Sequence, residues 1–205
     1  LLDQTFRESL SALGRNHVDI FLIHQAECLN KPGFLAVREW MLAQKQDGKV
    51  RELGVSLYGH DCVSDWSSHL DWIDWVQLPV NILDQRAIDS GFIRFLRKNG
   101  IKIQARSIFL QGLLLSPDMG ARKFPAPAIE HVQRAQQFFE LQGISPLEAC
   151  IDFIQQQDVD QVLVGVNSPL ELASILELWS KDKPKLNYSE LASDDTYLIH
   201  PPAWS

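Results

Sequence analysis

Five apolar runs in this chain each end in, or carry near their end, side chains that donate or accept hydrogen bonds. Residues 18–23 stop at His24-Gln25, 50–55 at Ser56, 101–105 at Arg106-Ser107 and 162–166 at Asn167-Ser168, while residues 72–78 carry Gln77 just before Pro79. Chemistry that builds negative charge on an oxygen needs a proton donor and hydrogen bonds aimed at that atom, and imidazole, hydroxyl, amide and guanidinium groups can supply them. On residues alone, His24 reads equally well as a histidine that closes a strand end structurally. Other chemistries find less support. The six histidines and three cysteines have no metal-ligand spacing, no paired carboxylates stand at strand ends, and Lys102 begins its strand, which puts a Schiff-base lyase or aldolase last.

The elements that position these residues are legible from periodicity. Leu2, Phe6, Leu10 and Leu13 recur at helical spacing, which predicts a first helix with Asp3 as N-cap and Gly14 just past its end. Pro32-Gly33 opens a second helix with Val37, Trp40 and Met41 inward, stopped by Gly48. Residues 61–69 are weakly helical, and Ile88, Phe92 and Phe95 give the next helix its inner face, with Gly100 as the stop. Pro125-Ala126-Pro127 introduces a helix over about 127–142. Ser145-Pro146-Leu147-Glu148 and Ser168-Pro169-Leu170-Glu171 both predict capping boxes. Their helices turn Leu147, Cys150, Ile151, Ile154 and Leu172, Ile175, Leu176, Trp179 inward. The polar tail from Lys181 is expected to wrap the outside.

Helix and strand alternate throughout, so the class is α/β with parallel strands. Five strands form either a small doubly wound sheet or an arc of a (β/α)8 barrel. Both folds place their site at the carboxyl ends of strands; the barrel, which brings all five ends to one mouth, is the preferred reading.

Residues 101–115 begin as a strand and break at Arg106-Ser107 into a loop that is apolar yet carries Gln111 and Gly112. Surface loops are ordinarily polar, so this one is expected to cover something.

With 205 residues, 45% of them hydrophobic and 22% charged, the chain can bury a substantial core in one domain. Its net charge of -7 argues against a nucleic-acid partner. No apolar run approaches the ~20 residues of a membrane span, and the N-terminus lacks a signal-peptide pattern, so the cytoplasm is the expected compartment. Cys28, Cys62 and Cys150 are expected to be reduced, mostly buried thiols. The tryptophans read as core and interface residues, since no basic face surrounds them.

Several motifs in order resemble the aldo-keto reductase family. Ala105-Arg106-Ser107-Ile108-Phe109-Leu110-Gln111-Gly112-Leu113-Leu114 resembles its A-Y-S-P-L-A-Q-G-L-L loop. Leu10 to Gly14 followed by Val18 to His24 is similar to S-L-x-x-L-x-x-D-Y-x-D-L-x-x-I-H, Gly48 to Ser56 to G-K-I-R-x-I-G-V-S-N, Val76 to Asn81 to V-Q-x-x-Y-N, and Val164 to Ser168 to P-G-A-S-S.

The resemblance implies strands four to eight of a TIM barrel, which typically needs ~250 residues, with three βα units upstream of Leu1. It implies an NAD(P)H-dependent oxidoreductase that reduces an aldehyde or ketone, a small-molecule carbonyl substrate, and NADP(H) ahead of NAD(H). Of the family's catalytic tetrad of Asp, Tyr, Lys and His, only His24 has a counterpart here; Tyr58, Tyr188 and Tyr197 do not fall at the tyrosine's place. This chain alone is therefore expected to be inactive. An alternative is a cofactor-sensing or interaction protein on the same scaffold. Cofactor contacts are implied for Ser56, Gln77, Arg106, Ser107, Phe109, Leu110, Gln111, Gly112, Gly165, Asn167, Ser168 and Glu171. Arg106 stands where the family has an aromatic residue stacked on the nicotinamide, a role a planar guanidinium can share, although a salt bridge at the barrel rim explains it as well. Leu57 replaces an Asn, Glu171 replaces a common Gln, and Ser174-Ile175 replace a Glu-Asn pair. Glu171 is explained as a capping residue; its charge disfavours a 2′-phosphate, which Arg122 and Lys123 would offset. Five strands also leave two sheet edges open, so a preceding or cleaved segment, or a partner such as a second copy, is expected.

Overall fold

The computed structural model describes residues 1–59, 65–116, 126–181 and 185–199. The expectations for Cys62, Arg122 and Lys123 lie outside them, as does the start of the 61–69 segment. The elements run α1 (Leu2–Ala12), β1 (Val18–Ile23), α2 (Phe34–Gln46), β2 (Val50–Ser56), β3 (Trp75–Pro79), α3 (Arg86–Asp89), α4 (Phe92–Lys98), β4 (Lys102–Arg106), α5 (Ala126–Gln142), α6 (Pro146–Gln155), β5 (Gln161–Val162), α7 (Pro169–Ser180) and α8 (Thr196–Ile199). The strands follow one another in the sheet in chain order, β1 to β5. The pairs β1–β2, β2–β3 and β4–β5 are parallel. A doubly wound sheet reverses its strand order at a switch point, whereas consecutive parallel neighbours belong to a (β/α)8 barrel, so the order favours the barrel reading.

The chain divides into two compact units, Leu1–Gln77 with Phe95–Lys102, and Leu78–Arg94 with Ile103–Ser205. In the first, Phe6 and Leu10 of α1 are buried, and Phe6, Phe21 and Trp40 meet edge to face with ring centroids 5.3 to 6.0 Å apart. Leu2 and Leu13 stay exposed, so the buried stripe of α1 is shorter than its apolar period. Leu1, not Asp3, is the N-cap; Asp3 lies inside the first turn, where it pairs with Arg7. β2 and β3 are pressed together at Gly54, where a Cβ would stand 2.3 Å from the Trp75 carbonyl oxygen and 2.6 Å from Leu22. β3 starts at Trp75 rather than Trp72, because the amides of Trp72 and Ile73 both donate to the His69 carbonyl and close a turn after the 3-10 segment Trp66–Ser68.

Along α4, Phe92, Ile93 and Leu96 are buried while Phe95 is exposed, and Gly91, at φ +75°, separates α3 from α4 where one helix was expected. The tail does not merely wrap the outside. Tyr188, Leu191, Leu198 and Ile199 are buried, Gln85 donates to the Tyr188 carbonyl at 2.8 Å, and Ser193 N donates to the Leu83 carbonyl at 2.8 Å. Buried Asp152 of α6 accepts from Tyr188 Oη at 2.8 Å, Gln156 Nε2 at 3.1 Å and Leu186 N at 3.2 Å. Cys28 and Cys150 are free thiols, and burial pushes both up from the usual thiol range.

β5 pairs over Gln161–Val162 only, shorter than the expected 162–166; Leu163 N still donates to the Ala105 carbonyl at 2.8 Å. Beyond it, Val166 is exposed. Of the four apolar residues expected inward on α7, Ile175 alone is buried; Leu172, Leu176 and Trp179 are 40 to 59% exposed.

Candidate active site

In the first unit the site residues stand where β-branched runs give way to polar ones. His24 follows β1 directly, exposed, with its ring 6.4 Å from that of Tyr58 and perpendicular to it. Ser56 ends β2 opposite Gln77 of β3 in the parallel register. Buried Ser56 Oγ donates to Gln77 Oε1 at 2.9 Å, and the next residue, Leu57, donates its N–H to the Gln77 carbonyl at 2.7 Å. The hydroxyl engages Oε1, the acceptor end of the amide, and Nε2 is its donor end. Leu57 is buried completely, so the residue replacing the family's Asn serves the core.

In the second unit β4 ends at Arg106, whose carbonyl accepts from Val80 N at 3.1 Å and whose guanidinium donates to Ser107 Oγ at 3.2 Å. The backbone then leaves ordinary conformations. Ser107, Leu110 and Gln111 have φ of +59°, +48° and +55°, and Gly112 follows at +85°. Such values cost a non-glycine residue energy and persist only where surroundings over-determine them. Here the anchors are Ile108, Leu110, Leu113 and Leu114, all buried, which explains the loop's apolar composition. Leu110 is fully buried, so only its backbone remains for a ligand; Gln111 is exposed.

Asn81 holds this turn and was not among the site residues expected from sequence. It is 1% exposed; its Nδ2 donates to the Ser107 carbonyl at 3.2 Å, while its Oδ1 accepts from Leu83 N at 3.0 Å and Asp84 N at 2.9 Å. Its place two residues past Pro79 was visible, but the bond to Ser107 joins segments 26 residues apart.

Phe109, Gly165 and Glu171 come together in one pocket of about 280 Å³, which Leu147, Leu170 and Ile175 also line. Leu147, Leu170 and Ile175 were missed as candidates, since Leu147 and Ile175 lie on apolar helical stripes that read as core and Leu170 carries no signal of its own. Ser145 and Glu148 form the expected capping box. The second cap differs: Ser168 Oγ accepts from Glu171 N at 3.2 Å, but the Glu171 carboxylate reaches Asn167 N at 2.7 Å, one residue before the cap. Among the described residues no group of three or more His, Cys, Asp or Glu could hold a metal, and no helix is long and apolar enough to cross a membrane.

A parallel α/β sheet in chain order, with polar residues gathered at strand ends, defines an α/β protein of barrel type. The sequence model of the Aldo/keto reductase family matches residues 2–193, and the chain belongs to that family. It is 30% identical over 109 residues to the NADH-specific methylglyoxal reductase of Escherichia coli (strain K12), covering 52% of this chain and 32% of that protein. It is 22% identical over 195 residues to pyridoxal 4-dehydrogenase of Microbacterium luteolum, covering 89% and 54%. The chain thus spans between a third and about half the length of these relatives. In fold it is similar to the apo form of aldo-keto reductase AKR11C1 from Bacillus halodurans, with a TM-score of 0.71 at 16% identity over 92% of this chain and 65% of that one. The holo form gives 0.68 at 17% identity, over 93% and 66%.

Proposed function

We propose that this chain is the carboxyl-terminal, cofactor-holding part of an oxidoreductase that reduces an aldehyde or ketone, a hydride joining the carbonyl carbon and a proton its oxygen. The observation that carries this reading is the Ser56–Gln77 pair, an oriented amide at adjacent strand ends within the family's motif order. A nicotinamide dinucleotide, when bound, supplies the hydride. Gln77 Nε2 would donate to the carboxamide, and the planar Arg106 guanidinium would lie against the ring. The turn at Ser107 to Gly112 would offer backbone and hydroxyl groups to the phosphates, and Asn167 and Ser168, with the Phe109–Gly165–Glu171 pocket, would take the adenosine end. The apolar lining of that pocket fits a nucleobase face. His24 would donate to the substrate oxygen as it becomes negative, holding the carbonyl in place. The Asp, Tyr and Lys of the tetrad have no counterpart in residues 1–205, so in this reading they stand elsewhere in the protein. NADP(H) is the family-level expectation, and free thiols at Cys28 and Cys150 fit a reducing cytoplasm.

The test is binding and turnover of reduced dinucleotide, with methylglyoxal and pyridoxal as the first carbonyl compounds. Binding and turnover are expected in the intact protein. His24→Gln should keep binding and lose roughly 10²-fold in kcat. Binding without turnover would favour the cofactor-sensing alternative, and no binding would remove both.

A further inference from the structure

We propose that Tyr58 is a positioning residue for His24, its ring holding the imidazole where it meets the substrate oxygen. The inference rests on the reading of His24 given above and adds to it the residue that aims the donor.

The observations lie within the first unit. His24 is exposed just past β1, and a side chain in that situation samples several rotamers unless a neighbour holds its ring. The ring of half-buried Tyr58 stands beside it, with centroids 6.4 Å apart and planes at 90°. That is the edge-to-face arrangement in which the positive edge of one ring meets the negative face of the other, so the contact favours one orientation of the imidazole over the rest.

What makes Tyr58 a firm partner is the segment that carries it. Ser56 and Leu57, the two residues before it, are both buried, and both are bonded to Gln77: Ser56 Oγ donates to Oε1 at 2.9 Å and Leu57 N to the carbonyl at 2.7 Å. β1 and β2 keep their parallel register up to Ile23 and Val55, so His24 and the 56–58 segment leave neighbouring strands side by side. Residues 56 to 58 therefore reach the amide proposed for the nicotinamide through Ser56 and the imidazole proposed for the carbonyl through Tyr58. Hydride transfer needs donor and acceptor held in one geometry, and a small misplacement of either lowers the rate without abolishing binding.

The experiment is read in the intact protein. Carbon–proton correlation spectra of its histidine rings, with the His24 signal assigned from His24→Gln, report the surroundings of each imidazole, because an aromatic neighbour shifts the signal. Tyr58→Leu should move the His24 signal toward that of a free imidazole while those of His69 and His131 stay in place, which also shows that the fold is kept. It should lower kcat by roughly 3- to 10-fold, the rate equivalent of one aromatic pair, with the Kd for reduced dinucleotide, followed by quenching of tryptophan fluorescence, unchanged. Tyr58→Phe, which keeps the ring, should keep the signal and restore the rate. An unmoved His24 signal in Tyr58→Leu, a moved signal with kcat unaltered, a loss carried wholly by dinucleotide affinity, or Tyr58→Phe as slow as Tyr58→Leu overturns the inference while leaving the cofactor reading intact. If His24→Gln turns over as fast as the unaltered protein, the reading of His24 falls and this inference with it.

Discussion

Ser56 Oγ donates to Gln77 Oε1 at 2.9 Å across paired positions of β2 and β3, so a buried hydroxyl engages the amide oxygen and fixes the side chain at the strand ends. Ser56→Ala removes that bond. The stability cost should be about 1 kcal/mol, while cofactor affinity should fall several-fold as the amide loses one of its anchors. Parallel urea titration and fluorescence binding separate the two effects; unchanged affinity at reduced stability would make the pair structural only.

Gly54 is a place where the sheet has no room for a methyl group, since its nearest neighbour would be the Trp75 backbone oxygen at 2.3 Å. Gly54→Ala should destabilise by roughly 3 kcal/mol or more, because backbone cannot step aside as a flexible side chain can. A denaturation midpoint equal to the unaltered protein would show that β2 and β3 part easily.

His69 is buried between Phe34 and Trp72, and its Nδ1 accepts from Trp72 Nε1 at 3.3 Å. Burial first, then the positive charge of Arg38, hold it below the usual histidine range, against the opposing pull of Asp65 and Asp71. The folded protein thus resists a proton that the unfolded chain accepts. Its contribution is complete above the ordinary histidine value and drains away as pH falls from there toward the depressed folded value. The loss should be at most about 1.4 kcal/mol per pH unit, the slope of a single proton. Urea midpoints measured across mild acid, in the unaltered protein and in His69→Asn, should show a shallower slope in the variant.

Asp152 binds the tail to α6 through Tyr188 Oη, Gln156 Nε2 and Leu186 N. Asp152→Ala should cost roughly 2 to 3 kcal/mol, since it leaves the buried Tyr188 hydroxyl without that acceptor and removes the bond to Leu186 N, while Gln156 Nε2 keeps the Leu186 carbonyl at 3.1 Å; Tyr188→Phe should cost about 1 kcal/mol, since the carboxylate keeps its other two. Hydrogen exchange at residues 186–193 should rise in the first variant and barely move in the second.

The positions of the strand ends were legible because an apolar run followed by a polar residue is a local signal: β1 ends at Ile23 before His24, β2 at Ser56 and β4 at Arg106. The capping serines were legible for the same reason. What failed was decided by distant partners. The run after Gln161 is apolar and β-prone up to Gly165, yet β5 stops at Val162 with one further bond, from Leu163 N to the Ala105 carbonyl. The spacing of Glu171 from Ser168 is that of a capping box, but the preceding backbone brings Asn167 N to the carboxylate instead. The left-handed backbone at Ser107 and its bond from Asn81 left no mark in composition, since neither residue type announces it.

Leu170, Leu172, Leu176 and Trp179 leave α7 greasy on its solvent side. A strip of that kind behaves as adhesive in water. Preparations of this polypeptide by itself should thicken into clumps as they are concentrated, and anything that hides the strip should keep the sample clear.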